Sequence, residues 1–424
     1  MKRPESPVTL SVMLILSLAL LVPAAWCQTW EGTGPDGGSF VGVVTDPADA
    51  DQVIAVGDYP SPPNVYRSFD GGQNWTQTGT VPYSNPGALA AFDFTRFYVL
   101  AYNGCYSTTD GGASWAYGPF PSGSGYGYAI CVHPTDPNLV YAAGYLYNSG
   151  NYSLVYFEST DGAQTWTSTI LSTTYFIPYD MTISETDPDV MYICGYQQVA
   201  STYTAGMFKT TDGGATWADI SASVETDNYR YLYTVEIDPT DSSRVYAGGT
   251  YFYRSVDGGT TWTRDTSNYM YAQDTGIDRA NPANLYTVSS SGDVYVSNDY
   301  ALTWTRYGDV FTGYGEYVEV APAAPSTIFV ASTYGGVYKS IDSGGTWNPA
   351  HSGIECSCIS SLAAAPSKPN TVFADITSGY TLTATYDAGG NWQEITYPLG
   401  CSGTVIELMV NSNDENIIMA LEAG

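Results

Sequence analysis

TTDGGATW, residues Thr210–Trp217, decides the fold, because this chain of 424 residues spells it eight times with small changes. The other copies are SFDGGQNW (Ser68–Trp75), TTDGGASW (Thr108–Trp115), STDGAQTW (Ser159–Trp166), SVDGGTTW (Ser255–Trp262), SNDYALTW (Ser297–Trp304), SIDSGGTW (Ser340–Trp347) and TYDAGGNW (Thr385–Trp392). Their aspartates, Asp70, Asp110, Asp161, Asp212, Asp257, Asp299, Asp342 and Asp387, lie 40, 51, 51, 45, 42, 43 and 45 residues apart. A period in that range marks stacked supersecondary units.

Working outward from each copy, a Tyr-rich or β-branched strand precedes it, such as NVYRS (Asn64–Ser68) or GVYKS (Gly336–Ser340), and a short strand starts at its Trp. Upstream lies a second strand pair around a Pro/Asp/Asn turn, as in VEIDPTDSSRVYAGG (Val235–Gly249) and VEVAPAAPSTIFVAS (Val318–Ser332). Alternating apolar residues bounded by Gly, Pro, Asn and Asp predict strands and hairpins. Four short antiparallel strands per unit, repeated radially, predict an all-β chain folded as a single β-propeller. The expected ring has eight Asp-motif units plus a partial ninth. Its last piece is GTVIELMVNSNDENIIMALEAG (Gly403–Gly424), expected to close against the amino-terminal strand that begins near Thr29 and Trp30, the alternative being a sequence that stops before a ninth box.

Within the motif, the Asp accepts hydrogen bonds from backbone N–H groups of its own turn and the Ser or Thr adds another. The glycines take a left-handed backbone at little cost. Ala163 in the third copy, and Tyr300 with Ala301 in the sixth, replace those glycines, so less regular turns are expected there. The motif resembles the Asp-box, or BNR, repeat of sialidases, xyloglucan-directed glycoside hydrolases, sortilin-type receptors and the photosystem II assembly factor, over residues 39 to 394. That resemblance implies the propeller; its hosts range from enzymes to receptors, so it leaves function open.

The ends and the composition bound the setting. Lys2 and Arg3, the apolar run Val8–Val22, and Ala24 with Ala25 have the layout of a signal peptide, residues 1–27, with residues 28–424 forming the propeller. The expected location is secreted, periplasmic or cell-surface, without membrane insertion of the mature chain. Net charge is −29, and clustered Lys and Arg are absent, which argues against nucleic acid and anionic membranes as partners. Six cysteines remain beyond Cys27; the repeat register suggests Cys356 or Cys358 with Cys401 among fifteen possible pairings. No metal or cofactor is expected: His133 and His351 are far apart, and DPADAD (Asp46–Asp51) coincides with the repeated first hairpin turn.

Propeller geometry puts the loops after second and fourth strands on one face and the Asp motifs on the other. The loop face is rich in tyrosine: Tyr59, Tyr117, Tyr126, Tyr145, Tyr147, Tyr175, Tyr179, Tyr196, Tyr203 and Tyr314 are the candidate ligand contacts, with Tyr229 and Tyr317 beside them. A tyrosine offers a flat apolar face and one hydroxyl, which suits sugar rings or a protein partner. The expected function is therefore a non-enzymatic scaffold that binds a glycan or an extracellular protein. Acids on that face are Asp58, Asp180, Glu225, Asp227, Asp265, Asp309 and Glu316. GGSFVGVVTDP to VIAVGDYP (Gly37–Pro60) is similar to the start of xyloglucanases, in which a catalytic Asp follows the second strand as Asp58 does here. That family draws its second acid from another propeller. A glycoside hydrolase of this type is one alternative reading, and an assembly chaperone like the photosystem II factor is another. No Arg-Ile-Pro tripeptide supports a sialidase.

Overall fold

The computed structural model describes residues 40–350, apart from 47, 58–61, 83–87, 122–124, 149–150, 225–229, 309, 311–313 and 334–335, and strand backbones between 359 and 422. The first sheet is β1 (Phe40–Asp46), β2 (Asp49–Gly57), β3 (Asn64–Ser68) and β4 (Thr76–Thr80); the second is β5 (Ala88–Ala91), β6 (Phe97–Ala101), β7 (Gly104–Thr108) and β8 (Ala116–Pro119). A seven-stranded sheet follows: β9 (Tyr126–Val132), β10 (Val140–Asn148), β11 (Asn151–Ser159), β12 (Thr167–Ile183), β13 (Met191–Val199), β14 (Thr202–Thr210) and β15 (Ala218–Asp219). It is two units fused, because β12 pairs with β11 through its first part and with β13 through its second. A short helix, α1 (Ser221–Val224), leads on. Three more four-stranded sheets are β16 (Leu232–Asp238) to β19 (Thr263–Arg264) through β17 (Asp241–Gly249) and β18 (Phe252–Ser255); β20 (Ala272–Ile277) to β23 (Thr305–Tyr307) through β21 (Leu285–Ser289) and β22 (Val294–Ser297); and β24 (Tyr314–Val320) to β27 (Asn348–Pro349) through β25 (Ile328–Thr333) and β26 (Gly336–Ser340).

All these pairings are antiparallel, so the all-β propeller of four-stranded blades is confirmed. The first hairpin of each of the first six units is closed by a side chain mimicking a backbone turn, whereas the seventh has Ala321 there and is closed by the Ala324 N–H to the Ala321 carbonyl. Asp46 accepts the N–H of Ala48 at 2.8 Å, Asp238 that of Thr240 at 2.8 Å, and Asp278 that of Ala280 at 2.9 Å. His133 stands at this position in the third unit, its Nδ1 accepting from Thr135 and Asp136, each at 3.2 Å. Asp49 is likewise committed, to the Asp51 N–H and the Gln52 amide.

The Asp motifs form the second repeated turn. In the fifth, Ser255 Oγ donates to Asp257 at 2.8 Å and accepts the Gly259 N–H at 2.9 Å, while Asp257 accepts the N–H and hydroxyl of Thr261 at 2.8 and 2.6 Å. The third and sixth turns correct the expectation of irregularity. Ala163, Tyr300 and Ala301 take φ of 68°, 60° and 59°, the left-handed geometry of the glycines they replace, and keep the same bonds to Asp161 and Asp299. The hydrogen-bond set outweighs the steric cost of a Cβ at positive φ. Asp387, of the eighth motif, lies outside the described residues.

The ring itself differs from the nine-unit expectation. Seven hydrophobic clusters each join two neighbouring units, and the one holding Phe40, Val43, Tyr66 and Trp75 also holds Phe329, Ala331, Val337 and Ala350. The unit β24–β27 thus packs on β1–β4, and the ring closes after seven units. First strands touch in a closed cycle, β1 to β5, β9, β12, β16, β20, β24 and back to β1. Trp75 Nε1 donates to the Ala350 carbonyl at 2.7 Å, Lys339 Nζ to Gly71 O at 2.6 Å, and Thr45 Oγ1 to Glu319 at 2.7 Å. With both flanks of the first unit covered, no place is left in this ring for an eighth or ninth. A further four-stranded sheet, β28 (Ile359–Ala364), β29 (Val372–Ile376), β30 (Thr381–Thr385) and β31 (Trp392–Ile395), and a pair, β32 (Val405–Val410) and β33 (Ile418–Glu422), meet each other through β28 and β32.

Candidate functional site

The first strands surround a central channel made of two connected cavities of about 280 and 410 Å³, which share Glu185, Glu236, Arg279 and Glu319. Tyr128, Tyr179 and Tyr317 stand in the cavity toward the loop face. Besides Glu185, four carboxylates line the wall. Asp180 accepts the N–H groups of Met181 at 2.7 Å and Val235 at 2.8 Å, and Asp274 those of Thr275 and Val318, each at 2.8 Å. Glu319 accepts from Thr45, and Glu236 faces Thr182. Asp180, Asp274 and Glu319 therefore each staple one blade to the backbone of the next.

Burial pushes all four carboxyls up, reinforced at Glu236 by Asp180 and Asp274 and opposed at Asp180 by the Val235 and Met181 N–H groups; Asp274 is raised to about 7. Part of each residue's surface still opens on the channel, and water there tempers the desolvation. The cation in the channel wall is Arg279, paired with Glu185 at 3.0 Å. Among the described residues no group of three or more His, Cys, Asp or Glu is arranged to hold a metal ion.

On the loop face, long hairpins raise an aromatic wall. The β10–β11 hairpin keeps pairing as far as Tyr147 with Tyr152 and Asn148 with Asn151, and the β13–β14 hairpin as far as Gln198 with Tyr203 and Val199 with Thr202. Other units turn sooner: β6 and β7 are joined by Tyr102 and Asn103 alone. Twelve tyrosines form one unbroken series across four units: Tyr102, Tyr126, Tyr128, Tyr145, Tyr147, Tyr152, Tyr175, Tyr179, Tyr196, Tyr203, Tyr231 and Tyr233, with successive ring centroids 3.7 to 6.3 Å apart. Tyr102, Tyr128, Tyr147 and Tyr179 are 44, 39, 52 and 38% exposed and present the series to solvent. Burial, with Tyr233 beside it, raises the Tyr179 phenol to about 12, so it stays a neutral donor.

Of the predicted contacts, Tyr126, Tyr145, Tyr147, Tyr175, Tyr179, Tyr196 and Tyr203 belong to this series. Tyr117 sits apart, against Tyr106 and hydrogen-bonded to Asn103, and Tyr314 is exposed at the start of β24. Tyr59, Tyr229, Asp58, Glu225, Asp227 and Asp309 lie outside the described residues, as do Cys356, Cys358 and Cys401; Cys105, Cys131 and Cys194 are free thiols. Asp180 is in the channel wall, whereas Asp265 caps its own turn at Ser267. Sequence reasoning missed Tyr102, Tyr128, Tyr152, Tyr231 and Tyr233 of the series, and Glu236, Asp274 and Glu319 of the channel. The signal for the glutamates was a charge inside an apolar first strand, as in TVEID and YVEVA.

A closed ring of four-stranded blades pinned by these turns defines a BNR-type, Asp-box β-propeller. A model described as photosynthesis system II assembly factor YCF48 matches residues 158–420, and the chain belongs to that family. A DUF6242 β-propeller domain model matches residues 59–229. A curated xyloglucanase from a Paenibacillus species is 26% identical over 281 residues, 55% of this chain and 27% of that enzyme. The chain spans about a quarter of the length of the curated relatives it matches. The Niastella koreensis GH74 enzyme has a similar fold, with a TM-score of 0.62 at 16% identity over 94% of this chain and 71% of that one. YCF48 bound to D1 peptide gives 0.51 at 16% identity, covering 72% of this chain and 93% of that one.

Proposed function

We propose that this propeller binds a neutral polysaccharide, a β-glucan such as xyloglucan, along its tyrosine series. The observation that carries the reading is the unbroken run of twelve rings on the face opposite the Asp boxes. Stacking on sugar rings needs flat apolar faces with hydroxyls at their edges, and the exposed tyrosines supply both. An overall charge of −29 and a channel mouth backed by carboxylates disfavour anionic glycans. The xyloglucanases among the relatives support this class of ligand. The same reading has the mature chain exported, where such polymers occur. No helix among the described residues is long and apolar enough to cross a membrane.

Affinity electrophoresis in gels carrying xyloglucan, mixed-linkage glucan, xylan or pectin tests it. Retardation by a neutral glucan is expected, weakened about fivefold for each of Tyr147→Ala and Tyr179→Ala, a loss near 1 kcal/mol. Equal mobility in every gel would overturn the proposal. Hydrolysis is the second reading, favoured by the position of Asp58 directly after β2. Release of reducing ends that disappears in Asp58→Asn would establish it; binding without release would leave the ring a scaffold.

A further inference from the structure

We propose that Tyr102 and Tyr126 are an oxidative cross-linking site, joining the second and third blades by a dityrosine bond under one-electron oxidation. Their rings are stacked, with centroids 3.7 Å apart and planes inclined by 28°. The backbones beneath are tied together, since the Gly127 N–H donates to the Tyr102 carbonyl at 3.3 Å. Tyr102 occupies a two-residue turn and is 44% exposed, so an oxidant reaches it and the ring has room to tilt. The neighbouring Tyr126 hydroxyl holds the Tyr102 phenol above its usual range, which keeps it protonated at neutral pH. No other pair in the tyrosine series approaches as closely; the next are separated by 4.8 Å and inclined by more than 50°.

The chemistry balances with a peroxidase and hydrogen peroxide as oxidant. Each phenol gives up one electron and its hydroxyl proton, and together these reduce one peroxide to two waters. The two radicals join through ring carbons ortho to the oxygens. The hydrogen on each joined carbon then moves to its oxygen and restores both phenols. The product has lost two hydrogens and gained one carbon–carbon bond. Because the other rings continue the series from Tyr126 through Tyr145, a vacancy formed at an exposed ring such as Tyr147 has neighbours to pass to until it reaches the most closely stacked pair of the series.

The test treats the dilute full chain with peroxidase and peroxide, reads dityrosine fluorescence, and maps products after cleavage before aspartate. Cleavage at Asp93 and Asp110 puts the two tyrosines on separate peptides. The expected product is that pair of peptides joined with the loss of two hydrogens. Tyr102→Phe should lower intramolecular dityrosine severalfold, while Tyr147→Phe leaves the Tyr102–Tyr126 linkage in place. Linkage mainly between molecules, linkage spread over other tyrosines, or an unchanged yield in Tyr102→Phe would each overturn the assignment.

Discussion

Asp274 should make this propeller less stable as the solution passes from mildly acidic to neutral. Its carboxylate lies in the channel wall, raised from 3.8 to about 7 chiefly by burial and then by the charge of Asp180. An acid whose folded value exceeds its unfolded one stabilises the fold fully below the unfolded value. That contribution is lost as the pH rises through the folded value, here between about 4 and 7. At about 1.4 kcal/mol per unit the shift sets an upper limit near 4 kcal/mol. Water in the channel screens part of it, so about 2 kcal/mol is expected. Urea unfolding of the parent and of Asp274→Asn, from pH 4.5 to pH 8, reads the effect. The amide keeps one of the two backbone contacts to Thr275 and Val318 and cannot ionise. The parent should lose about 2 kcal/mol more than the variant across that range. Parallel curves would refute the reasoning. Asp180, Glu236 and Glu319 move in the same direction, whereas Asp110, lowered to about 2 by hydrogen bonds from Ser114, opposes it only in stronger acid.

Three substitutions test the ring. Trp75→Phe removes the indole bond to the Ala350 carbonyl across the closing wall and should cost about 1–2 kcal/mol in chemical denaturation. Gly118→Ala would set a Cβ 1.8 Å from the Ala163 carbonyl oxygen of the next blade, a backbone atom that cannot swing aside; a loss near 3 kcal/mol, or failure to fold, is expected on thermal melting. Ser343→Gly relieves an exposed left-handed residue, φ 57°, where five of the other boxes carry Gly71, Gly111, Gly162, Gly213 and Gly258. A gain of about 0.5–1 kcal/mol is expected, and an unchanged melting temperature would show the geometry to be free of strain.

The repeated turns were legible because they are local. Ser, Asp and Trp at fixed spacing describe contacts within eight residues, and all seven turns among the described residues form with the Ser or Thr to Asp bond. Closure was not legible, because one blade's faces look much like another's. What joins Phe40 to Phe329 is a wall between distant units, and Val43 or Val337 would serve as well beside any neighbour. The tyrosines were found by composition in the loops. Those missed lie in a tight turn, in strands or, as Tyr231, just before β16, where only the unequal hairpin lengths bring them alongside the rest. Glu236 and Glu319 read as polar exceptions in apolar strands until the channel gave them a common wall.

The way the ring is fastened has a consequence for synthesis. The bonds that close it join residues 268 to 275 positions apart: Gly71 to Lys339, Thr45 to Glu319 and Trp75 to Ala350. Among the described residues, no strand from one end of the ring completes a sheet begun by the other. The first blade therefore emerges from the ribosome with one apolar flank uncovered, and that flank stays sticky until the seventh blade has been translated. A nascent chain halted anywhere before residue 350 is an open arc, and the fastening can form only when its two ends meet.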